Sequence, residues 1–352
     1  MKELLVKLTE GKDLTEEEMF EAILAIMKNE VEPAMMGAFL TALSIKGEKP
    51  VEVVGAVKAM LEVAEIIDPG YDVLDIVGTG GDRSFSFNIS SVSSIVIASC
   101  GVKVAKHGNR SVSSKCGSGD LFEALGVKFD FASKHAKDVL DKAGIVFLFA
   151  PVYHQAMRFV GPVRKALGIK TIYNIMGPLI NPMNATHMVL GVYKKELVRP
   201  VCEVLKKKGL KGAMVVYGMD GVDEISISDK TYVAEFENGG EIKEYEITPE
   251  EYGLKRSPHS EIIGGIPEEN KQIALDILNG VKSAKRDVVV LNSACAVHVY
   301  TGKSIMDSVK LVEEALDSGR ALNTLNTLVG VTNDIRWYCL KKKGTLQDNK
   351  GK

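Results

Sequence analysis

An α/β fold carrying a small all-helical domain is the expectation for this 352-residue chain, and three patterns support it. Residues 3–66 repeat apolar side chains at helical spacing. From Val73 onward short β-branched runs alternate with helical stretches, and the first of those runs breaks into Gly78, Gly80 and Gly81. Strands separated by helices need crossover connections, so the sheet of the larger domain is predicted to be central, mostly parallel and flanked by helices.

The helical segment opens on Thr15 before Glu16-Glu17-Glu18, a start of the capping type, and Pro33 and Pro50 mark later starts. Three or four helices fit. Strands are predicted at Leu74–Val77, Val102–Ala105, Ile145–Phe149, Met188–Val192, Ala213–Tyr217 and Val288–Leu291. Pro151, Pro162, Pro178 and Pro182 interrupt this rhythm around a basic helix, and Thr231–Thr248 with Gly239-Gly240 predicts antiparallel strands or a hairpin. The charged tail after Lys341 is expected to fray, from 346 to 352 above all.

Apolar residues make up 45% of the chain, ample for a core, and a net charge of -2 gives no reason for a nucleic-acid or anionic-membrane surface. The five cysteines are widely spread without a CxxC pair, which argues for reduced thiols rather than a disulfide framework or zinc knuckle. Met1–Leu5 lacks an apolar signal core, and no run of about 18 apolar residues occurs. A soluble cytoplasmic protein is expected.

The strand ending in Gly78-Thr79-Gly80-Gly81-Asp82 feeds a tight loop whose bare N–H groups can approach an anion. Glycines alone equally fit an ordinary strand-to-helix turn. Asn88 and Ser90 add neutral donors, Lys106 a fixed cation, and Asn109 with Arg110 a second polar cluster, which together suit a phosphorylated ligand. A dinucleotide fingerprint is excluded because Arg83 stands where its third glycine belongs, and a Walker motif because Val297 stands five residues before Gly302-Lys303-Ser304.

These motifs, together with Lys106–Arg110 and Gly117-Ser118-Gly119-Asp120, the run Val163–Gly168, Asn174–Pro182, and Gly221–Ser226, resemble the anthranilate phosphoribosyltransferase family in order and spacing over nearly the whole chain. Ala38–Leu43, Lys46-Gly47-Glu48, Leu291–Ala294 and Gly302-Lys303 add to the resemblance. It implies transfer of the phosphoribosyl group from 5-phosphoribosyl 1-diphosphate to the amine of anthranilate, with release of diphosphate, in tryptophan biosynthesis. It also implies that about 155–182 rejoins the N-terminal helical domain of residues 1–68, leaving 69–154 and 183–345 as the α/β domain.

By the same resemblance Gly78, Thr79, Gly81, Asp82, Ser86, Asn88, Ser90, Lys106 and Ser118 bind the phosphoribosyl donor, and Asp223-Glu224 with the Ser90 hydroxyl hold Mg²⁺, a hard cation suited to oxygen ligands. Gly78, His107, Asn109, Tyr153, His154, Arg164 and Pro178 correspond to the anthranilate side, with His107, Asn109 and Arg164 as the catalytic set. A guanidinium can pair a carboxylate in a bidentate fork, which suits Arg164 to the acceptor, and either histidine could relay the amine proton. The expected partners are these two small molecules and a second copy of the chain, joined through the N-terminal helices. Met35, Met36, Phe39 and Leu40 offer an apolar face for that contact or pack the small domain's core.

The chain departs from the family pattern at Gln155, Gly119 and Arg83-Ser84-Phe85-Ser86. Two other readings stand beside this one. A pyrimidine-nucleoside phosphorylase-like enzyme would carry His-Ser-Thr where Asp75-Ile76-Val77 stands, and a non-catalytic phosphosugar-binding homologue would tend to lose the acidic pair or Arg164.

Overall fold

A computed structural model describes residues 1–82, 84–111 and 115–342, with side chains as far as Ile335. Arg83 and the tail 346–352 lie outside the described residues. Four helices open the chain: α1 (Lys2–Thr9), α2 (Glu16–Met27), α3 (Pro33–Lys46) and α4 (Pro50–Glu62). The Thr15 hydroxyl accepts the Glu18 N–H at 3.1 Å and the Glu18 carboxylate accepts the Thr15 N–H at 3.0 Å, a reciprocal cap on α2. Pro33 and Pro50 occupy first-turn positions, where no N–H is required.

The seven strands are β1 (Leu74–Gly78), β2 (Val104–Gly108), β3 (Ile145–Phe149), β4 (His187–Gly191), β5 (Gly212–Gly218), β6 (Thr231–Glu237) and β7 (Lys243–Ile247). They lie in the order β3-β2-β1-β4-β5-β6-β7. The first five run parallel, while β6 and β7 form an antiparallel extension through the expected hairpin. The helices that follow are α5 (Ile89–Ser99), α6 (Ser118–Ala124), α7 (Ala136–Ala143), α8 (Ala150–Tyr153), α9 (Met157–Leu167), α10 (Tyr173–Met176), α11 (Val198–Lys208), α12 (Pro267–Leu278), α13 (Ala284–Thr301), α14 (Ile305–Asp317) and α15 (Arg320–Lys342).

Two apolar cores result. One joins α5, α7, α13, α14 and α15 to one sheet face. The other runs from α2, α3 and α4 through α11 to Met188, Leu190, Val215 and Phe236 on the opposite face. Helix α9 packs on α2 and α3, and α11 packs on α4. The helical bundle is therefore seated on the sheet through a shared core.

One expectation requires correction, and one open alternative is decided. Val288–Leu291 lies inside α13, an 18-residue helix capped by the Ser283 hydroxyl and buried against α5, α14 and the sheet, so its apolar run is that of an all-round buried helix and not of a strand. Met36, Phe39 and Leu40 are fully buried and belong to the bundle core, so they form no free face. The outer side of α3 instead presents Ala34, Gly37, Ala38, Thr41 and Ile45 to a groove of about 720 Å³ shared with α1 and α9.

At the far end of β6, His298 of α13 lies 2.9 Å from Glu235 Oε1 and its Nδ1 is 2.5 Å from the Lys303 carbonyl. The hydrogen bond to Glu235 raises the His298 pKa above its ordinary value. A raised histidine contributes stability that is complete below the unfolded value near 6.5 and is lost as pH climbs through the higher folded value. Urea unfolding at pH 5.5 and 8.5 is expected to show a fall in wild-type stability from pH 6.5 upward that His298→Gln reduces.

Candidate active site

The site lies at the carboxyl ends of the parallel strands, where β1 turns to β2 on one side and adjoins β4 on the other. This reversal of strand order opens a crevice in any doubly wound sheet. Gly78 and Gly191 end β1 and β4 side by side, and Asp223 follows β5 onto both of them. A Cβ at Gly78 would collide with the Asp223 carboxylate, and one at Gly191 with the Asp223 carbonyl. Glycine is required here because an acidic side chain packs against bare backbone.

Asp223 Oδ2 accepts the Gly80 N–H at 2.5 Å, the Thr79 N–H goes to the Gly191 carbonyl at 2.9 Å, and Asp82 Oδ2 lies 3.4 Å from the Asp223 N–H. The glycine loop thus already donates an N–H to the protein's own acidic side chain. Glu224 accepts the Ser90 N–H at 3.2 Å in the first turn of α5. Asp223 and Glu224 are 8% and 9% exposed. Burial raises both carboxyl groups, Asp223 further through the charges of Asp82 and Glu224, and Glu224 up to about 7.

Lys106 is 2% exposed and is the cation facing this cluster, in the fields of Asp75, Glu224 and Asp223. Burial lowers the Lys106 pKa below its ordinary value, and the charges of Asp75, Glu224 and Asp223 oppose that shift. Asp75, missed as a site residue, lies beneath it at 0% exposure. Strands β1 and β2 pair only at Leu74 and Val104, and in the gap beyond, Asp75 Oδ1 accepts the His107 N–H at 3.3 Å while Oδ2 accepts the Asn181 amide at 2.8 Å. Asn181 also donates to the Ala105 carbonyl at 2.7 Å. Two side chains thereby replace ladder bonds that the splayed strands cannot make. A single acid in the apolar run Leu74–Val77 was the available signal.

The second wall is built around His107 and His154, whose rings meet edge to face with centroids 5.2 Å apart. Among the described residues, His107 Nε2 and both His154 nitrogens are buried with no partner at full hydrogen-bond geometry. Burial lowers His107 well below its usual pKa, helped by its neighbour His154, and lowers His154 to about 4. Both rings are neutral at pH 7. They lie against the backbone of Gly177 and Ile180, in the turn that contains buried Pro178. Tyr153 is 3% exposed beside His154. Lys208, pushed down to about 8 by burial, donates to the Leu179 carbonyl at 2.7 Å and fixes the same turn.

Arg164, on α9, is half-buried with its guanidinium 5.3 Å from the Tyr173 ring centroid; Tyr173 begins the helix that leads into Gly177. Asn109 is exposed, and its carbonyl accepts both the Ser118 hydroxyl and the Gly119 N–H at 3.0 Å. Asn88 donates to the Cys116 carbonyl at 3.0 Å, tying the loop after β1 to the loop before α6. Ser86 forms a bridge with Ile263. The exposed Phe85 has φ of 56°, a strained conformation for a bulky residue. Lys170, also missed, reaches the Gly81 carbonyl at 3.3 Å.

Among the described residues, the group whose ligand atoms come close enough together to hold a metal ion is Glu235, Glu237 and His298. It lies at the opposite end of the sheet, where Glu237 pairs with Gly212 at the start of β5. Glu235 and His298 already bond each other, and Tyr245 donates to Glu235. At the glycine loop Asp82, Asp223 and Glu224 lie together, with Lys106 in the field of the last two.

Comparison with known proteins bears on the same surfaces. Residues 70–322 match the family model "Glycosyl transferase family, a/b domain", and residues 2–64 its helical bundle domain. An anthranilate phosphoribosyltransferase of Methanobrevibacter smithii is 51% identical, over 95% of this chain and 99% of that protein. The crystal structure of anthranilate phosphoribosyltransferase from Thermus thermophilus superposes with a TM-score of 0.89 at 40% identity, covering 94% of this chain and 99% of that one. The Saccharomyces cerevisiae enzyme in complex with PRPP and Mg superposes at 0.85 with 28% identity, covering 95% and 99%. Its complex with 4-fluoroanthranilate superposes at 0.84, also with 28% identity, covering 94% and 97%.

Proposed function

The chain belongs to the anthranilate phosphoribosyltransferase family, and we propose that its crevice performs that family's reaction with the residues assigned here. The protein transfers the 5-phosphoribosyl group from 5-phosphoribosyl 1-diphosphate to the amine of anthranilate and releases diphosphate. The anomeric C–O bond breaks, its electron pair leaves on diphosphate, and the amine lone pair forms the new C–N bond. The observation that carries the reading is the facing of two chemistries, a carboxylate and lysine cluster on the glycine loop and a pair of neutral buried histidines against the Pro178 turn.

On the donor side Gly78, Thr79, Gly81, Asp82, Ser86, Asn88, Ser90, Lys106 and Ser118 surround the phosphates, with Lys106 as the fixed countercharge to the leaving group. Asp223, Glu224 and the Ser90 hydroxyl hold Mg²⁺. The fit rests on Asp82 crowding Asp223 and on burial of the acidic pair, which leave carboxylates short of positive charge. Bound Mg²⁺ neutralises the diphosphate and orients its oxygens.

On the acceptor side Arg164 pairs the anthranilate carboxylate, and Tyr153, Pro178, Gly78 and Asn109 bound the ring. His107 or His154, held neutral by burial, accepts the amine proton as the C–N bond forms. Positioning and charge neutralisation supply most of the acceleration, because an aromatic amine needs no strong base.

The proposal divides the chain into a helical body of residues 1–68 with about 155–182, supported by the packing of α9 on α2 and α3, and an α/β body of 69–154 and 183–345. It includes a cytoplasmic setting, consistent with free thiols at Cys100, Cys202 and Cys295. It also includes a homodimer through the N-terminal helices, supported by the apolar groove on the outer side of α3.

Loss of anthranilate fluorescence on mixing protein, donor sugar and Mg²⁺ tests the function, and no loss at micromolar protein overturns it. Arg164→Ala is expected to raise the anthranilate KM by about 10- to 100-fold, roughly 1.4–2.8 kcal/mol, with the donor KM within about twofold. The Asp223→Asn/Glu224→Gln double variant is expected to move half-saturating Mg²⁺ upward by about tenfold or more, read from a metal titration of initial rates. Ala38→Glu places a charge in the groove and is expected to turn a sedimenting dimer into a monomer.

A further inference from the structure

Asparagine is among the strongest helix-capping residues, its side-chain oxygen satisfying a first-turn N–H of its own helix for about 1 kcal/mol. Asn88 occupies the N-cap position of α5 and makes no such bond. Its carboxamide is turned elsewhere: Oδ1 accepts from Asn270 Nδ2 at 2.9 Å and Nδ2 donates to the Cys116 carbonyl at 3.0 Å. Asn270, in α12, is 2% exposed, and its own Oδ1 accepts the Gly265 N–H at 2.7 Å. Both polar ends of Asn270 are therefore committed, one to the segment 259–265 and the other to Asn88.

That segment is laid along the glycine loop's outer half. His259 Nε2 donates to the Ser84 carbonyl at 2.8 Å, the Gly264 N–H to the Phe85 carbonyl at 2.9 Å, and the Phe87 N–H to the Ile262 carbonyl at 3.1 Å. Asn270 closes this zipper from behind. The α5 N-terminus that Asn88 leaves uncapped carries the positive end of an 11-residue helix, and its Ser90 N–H already faces the Glu224 carboxylate.

We propose that Asn270 is a positioning residue for the phosphoribosyl donor. It holds the Asn88 side chain off the end of its own helix and, through the Asn88–Cys116 bond, keeps the loops after β1 and β2 tied together, so that Asn88, Ser90 and Ser118 keep the relative positions in which they meet the donor. This rests on the donor-binding function proposed above. Without Asn270, Asn88 swings back towards the first turn of α5 and the tie between the two loops is lost. The consequence is specific: donor affinity falls while the acceptor side is unchanged.

Calorimetric titration of 5-phosphoribosyl 1-diphosphate with Mg²⁺ into wild type, Asn270→Ala and Asn270→Asp tests this, alongside thermal melting and both KM values. Aspartate keeps the shape and accepts from Gly265 but cannot donate to Asn88, so it decides the matter if the alanine variant fails to fold. Both variants are expected to bind the donor about tenfold more weakly, 1.4 kcal/mol, with the anthranilate KM within about twofold. For Asn270→Asp the melting temperature should fall, because a carboxyl group replaces an amide at a buried position, while the protein remains folded at the assay temperature. Donor affinity within twofold of wild type in Asn270→Asp overturns the proposal, as does an equal rise of both KM values. A wild type that binds no donor overturns the proposed function and this inference together, whereas failure of the variants alone to lose affinity removes only the inference.

Discussion

Everything in the crevice depends on two adjacent carboxylates, Asp223 and Glu224, being kept in a buried place. Neither would remain ionised there without compensation, since desolvation of a charge costs several kcal/mol. The compensation comes from three directions: the Gly80 N–H on Asp223, the Ser90 N–H on Glu224, and the Lys106 ammonium. It is incomplete, because both groups remain raised. A site left short of positive charge in this way favours a divalent cation and the polyphosphate that accompanies it.

The geometry behind that arrangement is a sheet that opens. Strands β1 and β4 stay in register to Gly78 and Gly191, while β1 and β2 part after their first pair. Asp75 and Asn181 fill the gap, and Asn181 belongs to the segment that leaves the helical body. One hydrogen-bonded unit therefore connects the strand carrying Lys106 and His107 to the Pro178 turn that carries the other wall. The two walls are set by a shared buried contact and not by loops acting alone.

Local signals in the chain were legible where chemistry is local. The Thr15–Glu18 cap, the proline starts of α3 and α4, and five parallel strands fall where the pattern placed them, within three residues at each end. Val288–Leu291 misled because a short apolar run has no period that distinguishes a strand from a helix buried on every side. Met36, Phe39 and Leu40 were equally ambiguous, since spacing shows that a face is apolar and not what covers it. Among site residues, the glycine loop and the acidic pair announced themselves by composition, whereas Asn270 and Lys208 carry no local mark and act only through partners distant in the chain.

The amino-acid sequence by itself determined the secondary elements, the parallel character of the sheet, the anion-binding loop and the family to which the chain belongs, because caps, turns and glycine requirements are written within a few residues of one another. Tertiary structure alone decided that Asp223 lies on Gly78 and Gly191, that Asp75 and Asn181 bridge the splayed strands, and that Asn88 faces Asn270 instead of capping α5. Those contacts join residues from 32 to 182 positions apart, and only the packing of strands, helices and loops fixes which distant polar groups are left facing each other once water is excluded.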